Sequence, residues 1–210
     1  MNEKIARQIE EMKRQTIGVE VEMNNITREK AAKIAARFFG TGRYENTARR
    51  NGYCTWSAWD AQNREWKFQK DVSIAGPESE ECELVTPILT YADMATLQEL
   101  IRQLRHAGAK SDASRGCGVH IHIGAKGHTP QTLRNLANIM ASHESLIADA
   151  LNLDRGRMRR YCRTVDPRFL ETLNRKKPKT MSALADIWYT SHGEDYGRNH
   201  HYNGSRYHML

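Results

Sequence analysis

The segment Ile17-Gly18-Val19-Glu20-Val21-Glu22-Met23 constrains the fold more than any other stretch, because its strict alternation is the pattern of a half-buried strand. Successive strand side chains point to opposite faces, so Ile17, Val19, Val21 and Met23 share one face while Gly18, Glu20 and Glu22 share the other. One face asks for a core and the other carries two carboxylates. Like charges that close raise each other's pKa unless a cation lies between them, and a hard divalent metal meets that need. A strand whose acidic face points into water explains this segment equally well when it is taken alone. The weight therefore falls on what the rest of the chain puts on such faces.

Three further segments alternate. Trp66 to Ile74 reads as a strand with Trp66, Phe68, Val72 and Ile74 on one face and Asp71 and Ser73 on the other. Glu81 to Pro87 is another, stopped at Pro87 and presenting Glu83. In Cys117 to Gly124, Val119, Ile121 and Ile123 face one way, which leaves His120, His122 and the small Gly118 and Gly124 facing the other. Two histidines at this spacing can converge on one site, and the flanking glycines permit close approach of a ligand.

Between these lie helical patterns. Thr27 to Phe39 has a capping threonine and stops at Gly40; Thr90 with Asp93 opens a helix carrying Met94, Leu97, Leu100, Ile101 and Leu104. Thr129-Pro130 opens a long helix through Leu133, Leu136, Met140, Leu146 and Ile147. Shorter helices are predicted at Pro167 to Asn174 and Thr180 to Tyr189, and an irregular hairpin region at Gly40 to Asn63. Residues 1–15 read as a polar leading helix, and residues 16–210 as one domain. The mixed element order, without a glycine-rich βαβ fingerprint, predicts an α+β fold: a largely antiparallel sheet with helices on one face and the active site on the other.

The net charge of +7 is concentrated. Arg155 to Lys179 holds ten Lys or Arg against Asp166 and Glu171, which suits phosphate, an acidic substrate or nucleic acid, or simply a solvated helix face. Four scattered cysteines without a C-x-x-C pair argue against a disulfide framework or zinc ribbon. No apolar run approaches a membrane span and the N-terminus has no signal-peptide core, so a cytoplasmic protein is expected.

Glu20, Glu22, Asp71, Glu83, His120 and His122 all fall on polar faces of predicted strands. Oxygen-rich ligands with imidazole in support suit Mg²⁺ or Mn²⁺ rather than structural zinc, and no H-E-x-x-H motif points to zinc hydrolysis.

The ordered set Ile17 to Met23, Lys70-Asp71-Val72-Ser73-Ile74, Glu83-Leu84-Val85-Thr86-Pro87, Gly116 to His122 and Arg160-Tyr161-Cys162-Arg163 resembles the amidoligases, from about Thr16 to the last residue. That family is grouped with glutamine synthetases and glutamate-cysteine ligases. The resemblance implies ATP-dependent amide formation through an acyl phosphate, with carboxylate and amine substrates, ATP and Mg²⁺ (or Mn²⁺). By the same resemblance Glu22, Asp71 and Glu83 would hold a first metal and Glu20 with His120 a second. His122 and Ser73 would approach the nucleotide, and Arg163, Arg198 and Arg206 would clamp the acyl phosphate or substrate carboxylate. Family members continue past the equivalent of Leu210 with a strand bearing a further carboxylate and arginine. Either the chain is truncated and is expected to bind nucleotide without appreciable amide synthesis, or self-association or a completing partner chain supplies the missing groups. The rival functions are a basic nucleic-acid-associated protein, which leaves the Glu and His pairs unexplained, and a metal-dependent hydrolase. Only Tyr161 and Phe169 offer stacking surfaces within the basic run.

Overall fold

The computed structural model describes residues 2–160 and 164–191. The chain divides into two compact units, Met1–Gly124 and Ala125–Leu210. The first contains α1 (Glu3–Lys13), β1 (Ile17–Met23), α2 (Arg28–Phe38), β2 (Tyr44–Asn46), α3 (Ala48–Asn51), β3 (Trp56–Trp59), β4 (Glu65–Gln69), β5 (Cys82–Val85), α4 (Met94–His106) and β6 (Val119–Ile123). The second contains α5 (Pro130–Ala150), α6 (Arg155–Arg160), α7 (Pro167–Lys176) and α8 (Met181–Ser191).

The fold is α+β. Among the described residues six strands form one sheet in the order β2-β3-β4-β5-β1-β6, and every pairing is antiparallel. The register sets Glu22 opposite Glu83, and Glu20 opposite both Val85 and His120. One strand further, Gln69 lies opposite Glu83 and Lys67 opposite Val85. Directly opposed residues share a face, so the carboxylates, both histidines, Lys67 and Gln69 stand on one side of the sheet.

The other side is the core. Val19, Val21, Met23, Trp66, Phe68, Cys82 and Leu84 pack with Ala31, Ala32, Ala35 and Ala36 of α2 and with Leu97, Leu100 and Leu104 of α4. The alanine face of α2 lets that helix lie close to the sheet, while the leucines of α4 recur at helical spacing. Phe68, Leu84 and Leu100 are fully buried, and each such side chain contributes about 1.5–3 kcal/mol. Thr27 caps α2 through a 3.1 Å bond from Lys30 N, and Thr90 with Asp93 forms a capping box before α4.

Two expectations need correction. The strand predicted through Ile74 ends at Gln69; Asp71 Oδ1 accepts from Ser73 N at 2.7 Å, and Ile74 N donates to Asp71 O at 3.3 Å, so a turn replaces the strand. Val72 is consequently 86% exposed rather than in the core. Val119, Ile121 and Ile123 do share a face, but each is more than half exposed, because β6 is an edge strand that the helix-covered core does not take in. The irregular hairpin region expected at Gly40 to Asn63 forms the antiparallel pair β2 and β3 with α3 between them, Ser57 and Trp59 alternating against Trp56 and Ala58.

In the second unit α5, α7 and α8 enclose Ala137, Phe169, Leu173, Leu184 and Ile187. Thr129 caps α5 with Pro130 in its first turn, as the sequence predicts. Phe169 meets Trp188 edge-on at 4.7 Å. The basic run occupies α6 and α7, and α7 turns Phe169 and Leu173 inward while Arg168, Arg175 and Lys176 are exposed. Among the described residues no helix is long and apolar enough to cross a membrane.

Candidate active site

β1 and β6 bring the acidic and imidazole groups into contact through simple strand register. His120 Nε2 lies 3.4 Å from Glu22 Oε1, and its Nδ1 lies 3.6 Å from Glu20 Oε2. His122 Nε2 lies 3.2 Å from Glu20 Oε1, without the alignment of a hydrogen bond. Glu20 thus stands between the two rings. The bond to Glu22 above all raises the His120 pKa, burial opposes it, and the charges of Glu22, Glu20 and Glu83 add to the rise.

Glu83, on the other flank of β1, is 6% exposed, and its Oε2 accepts from Gln69 Nε2 at 2.9 Å. Asp71 joins from the turn after β4. Carboxylate oxygens of Glu22, Asp71 and Glu83 lie within 4.8 Å of one another. Burial pushes the Glu83 carboxyl up to about 7; the Gln69 bond opposes this, and the charges of Glu20, Asp71 and Glu22 reinforce it. Carboxylates gathered in this way are disposed to exchange a proton for a divalent cation.

The Asp71 turn is held by Gly116. That residue has φ +89°, in the left-handed region, and a Cβ there would collide with the Ser73 carbonyl, while Ala75 N donates to Arg115 O at 2.7 Å. The position before β6 must therefore be glycine for the Asp71 turn to lie against it.

The structure brings Glu20, Glu22, Glu83, His120 and His122 together from strand faces, whereas Asp71 reaches the cluster from the turn after β4 and not from the strand face expected of it. Ser73 is exposed, and what it gives the cluster is a backbone N–H to Asp71. Arg163, Arg198 and Arg206 lie outside the described residues. Two participants are not evident from the sequence motifs. Gln69 holds Glu83, and Lys67 stands beside it at a pocket of about 360 Å³ lined by Arg64, Glu65, Lys67, Val85, Thr86, Pro87 and Ile88. The alternation of Glu65-Trp66-Lys67-Phe68-Gln69 was the available signal, since it sets both on the polar face.

Against known families, the model described as "putative amidoligase enzyme" matches residues 13–210. The chain belongs to this family. Its membership supports ligase activity in general terms. No curated protein and no solved structure matches the chain.

Proposed function

We propose that this amidoligase joins a carboxylate to an amine with cleavage of ATP, using Mg²⁺ or Mn²⁺. The observation that carries the proposal is the convergence of Glu22, Asp71 and Glu83 beside the Glu20, His120 and His122 contacts. Carboxylate oxygens with a neighbouring imidazole fit a hard divalent cation, and Cys82, the buried thiol of β5, belongs to the opposite, core face.

In the reaction a substrate carboxylate oxygen bonds to the γ-phosphorus of ATP as the bond to the bridging oxygen breaks, releasing ADP. The amine nitrogen then bonds to the acyl carbon, phosphate departs with the electrons of the C–O bond, and the nitrogen loses a proton. Cations held by Glu22, Asp71 and Glu83, and by Glu20 with His120, would offset the negative charge that otherwise keeps one anion from attacking another. Gln69 orients the Glu83 carboxylate, and Gly116 keeps Asp71 in reach of it. His120 braces Glu20 and Glu22, and His122 stands at the far side of Glu20, where the nucleotide phosphates would lie. Arg163, Arg198 and Arg206 are assigned to the acyl phosphate or the substrate carboxylate, because a guanidinium matches such oxygens with two parallel bonds.

Hydroxylamine, offered as the amine, turns an activated carboxylate into a coloured hydroxamate. ADP release and hydroxamate formation that require divalent metal and vanish in Glu22→Gln with Glu83→Gln would support the proposal. Undiminished turnover in that double variant would refute it.

A further inference from the structure

We propose that Lys67 anchors a second anionic group of the substrate, so that the carboxylate joined by this enzyme belongs to a dicarboxylate or an acidic amino acid. This substrate class rests on the ligase proposal and is assigned to the same site.

Lys67 is partly buried on the same sheet face as the carboxylates, opposite Val85, which is itself opposite Glu20. Its ammonium has no ion pair or hydrogen bond among the described residues. The acidic groups nearest along the sheet are already held by others: Glu65 Oε1 accepts from Ser57 Oγ at 2.8 Å, and Glu83 Oε2 accepts from Gln69. Ser57 is in turn 2.7 Å from Thr47 Oγ1, so the Glu65 arrangement is built from buried groups.

The other cation of the pocket is committed. Arg64 Nε donates to Asp60 Oδ2 at 2.8 Å and its NH2 to Asp93 Oδ1 at 2.9 Å. Asp60 also accepts from Trp66 Nε1 at 3.0 Å and from two backbone N–H groups, which fixes it as the floor of this network. Among the described residues that line this pocket, Lys67 is therefore the cation available to a ligand, and Val85, Pro87 and Ile88 give the ligand an apolar wall. Ile88 is 74% exposed, an apolar side chain left in solvent at the rim.

Spacing sets the class of ligand. Lys67 precedes Gln69 by two strand positions, which puts its row about 7 Å from the row of Gln69, Glu83 and Glu22. A dicarboxylate of roughly four to six carbons spans that interval, with one end toward Glu83 and the other on Lys67. A monocarboxylate reaches one end only. Ammonium to carboxylate contact in a partly desolvated pocket is charge-assisted and stronger than a neutral bond.

The test is calorimetric titration of the full chain in Mg²⁺ with glutarate and with pentanoate. Wild type should bind glutarate at least about tenfold more tightly, the gain of one charge-assisted contact. Lys67→Met should bring glutarate to the pentanoate level with pentanoate unchanged, and Lys67→Arg should retain most of the preference. Equal binding of the two acids by wild type, or a preference unaffected by Lys67→Met, would overturn the inference. So would weaker binding of a non-hydrolysable ATP analogue by Lys67→Met with glutarate unaffected, which would give Lys67 to the nucleotide. Failure of the ligase proposal is distinguishable, because it appears as absent ADP release and hydroxamate while the glutarate preference persists.

Discussion

Gln69 Nε2 donates to Glu83 Oε2 at 2.9 Å across neighbouring strands, holding a carboxylate that burial and three other acidic groups push up to about 7. An acid whose folded pKa exceeds its ordinary 4.5 is stabilised by folding in its protonated form. That contribution is complete below pH 4.5 and is lost as pH rises through about 7. The metal-free protein should therefore lose stability over this window, by at most about 3.5 kcal/mol, since each tenfold difference in proton affinity between folded and unfolded chain is worth about 1.36 kcal/mol. Urea titrations at pH 5 and pH 8 will measure the loss, and Glu83→Gln should flatten it; an unchanged slope in that variant would assign the loss to other groups.

Gly116→Ala should damage the site without touching a carboxylate. Its Cβ would meet the Ser73 carbonyl, at a φ that disfavours side chains. Displacing the Asp71 turn removes one of three converging carboxylates. The Mg²⁺-induced rise in melting temperature should fall by half or more relative to wild type, since that rise reflects binding to the native state. A full metal response in the variant would mean that Asp71 is not needed.

Nucleotide binding should depend on His122 and not on the basic helices. Calorimetry with a non-hydrolysable ATP analogue and Mg²⁺ should give weaker binding for His122→Ala, with an unchanged circular dichroism spectrum. Competing duplex DNA should leave the nucleotide bound. Tight DNA binding that falls steeply with salt, without affinity for the analogue, would favour the nucleic-acid alternative.

The exposed edge gives a contrast in stability. Val21 is 8% exposed within the core face of β1, whereas Ile121 is 57% exposed on β6. Val21→Ala should cost about 1–2.5 kcal/mol and Ile121→Ala less than about 0.5. Equal losses would mean that the apolar face of β6 is covered.

Most of the candidate site was legible because Glu20, Glu22, Glu83, His120 and His122 are strand-encoded, while Asp71 stands in a turn. A period of two decides that Glu20 and Glu22 share a face and that His120 and His122 do so, whatever the strands pair with. Which strands become neighbours is a long-range property, so the contact of His120 with both glutamates follows only from β1 lying beside β6. The strand predicted through Ile74 failed because alternation continues past Lys70, while the Asp71 carboxylate captures Ser73 N and bends the chain. The misplaced burial of Ile121 has a similar origin: alternation assigns a face but not what covers it. Lys67 and Gln69 are visible in the sequence as polar alternates of β4 and gain meaning only beside Glu83 and the pocket.

The most direct test of ligase chemistry follows the oxygen. Carboxylates of a panel, including glutarate, labelled with ¹⁸O are incubated with the full chain, ATP, Mg²⁺ and hydroxylamine, and the released phosphate is analysed by mass spectrometry. Transfer of one labelled oxygen from carboxylate to phosphate, in step with ADP and hydroxamate, is the expected result. Hydroxamate accompanied by unlabelled phosphate, or ATP left intact with every acid, would contradict activation through an acyl phosphate.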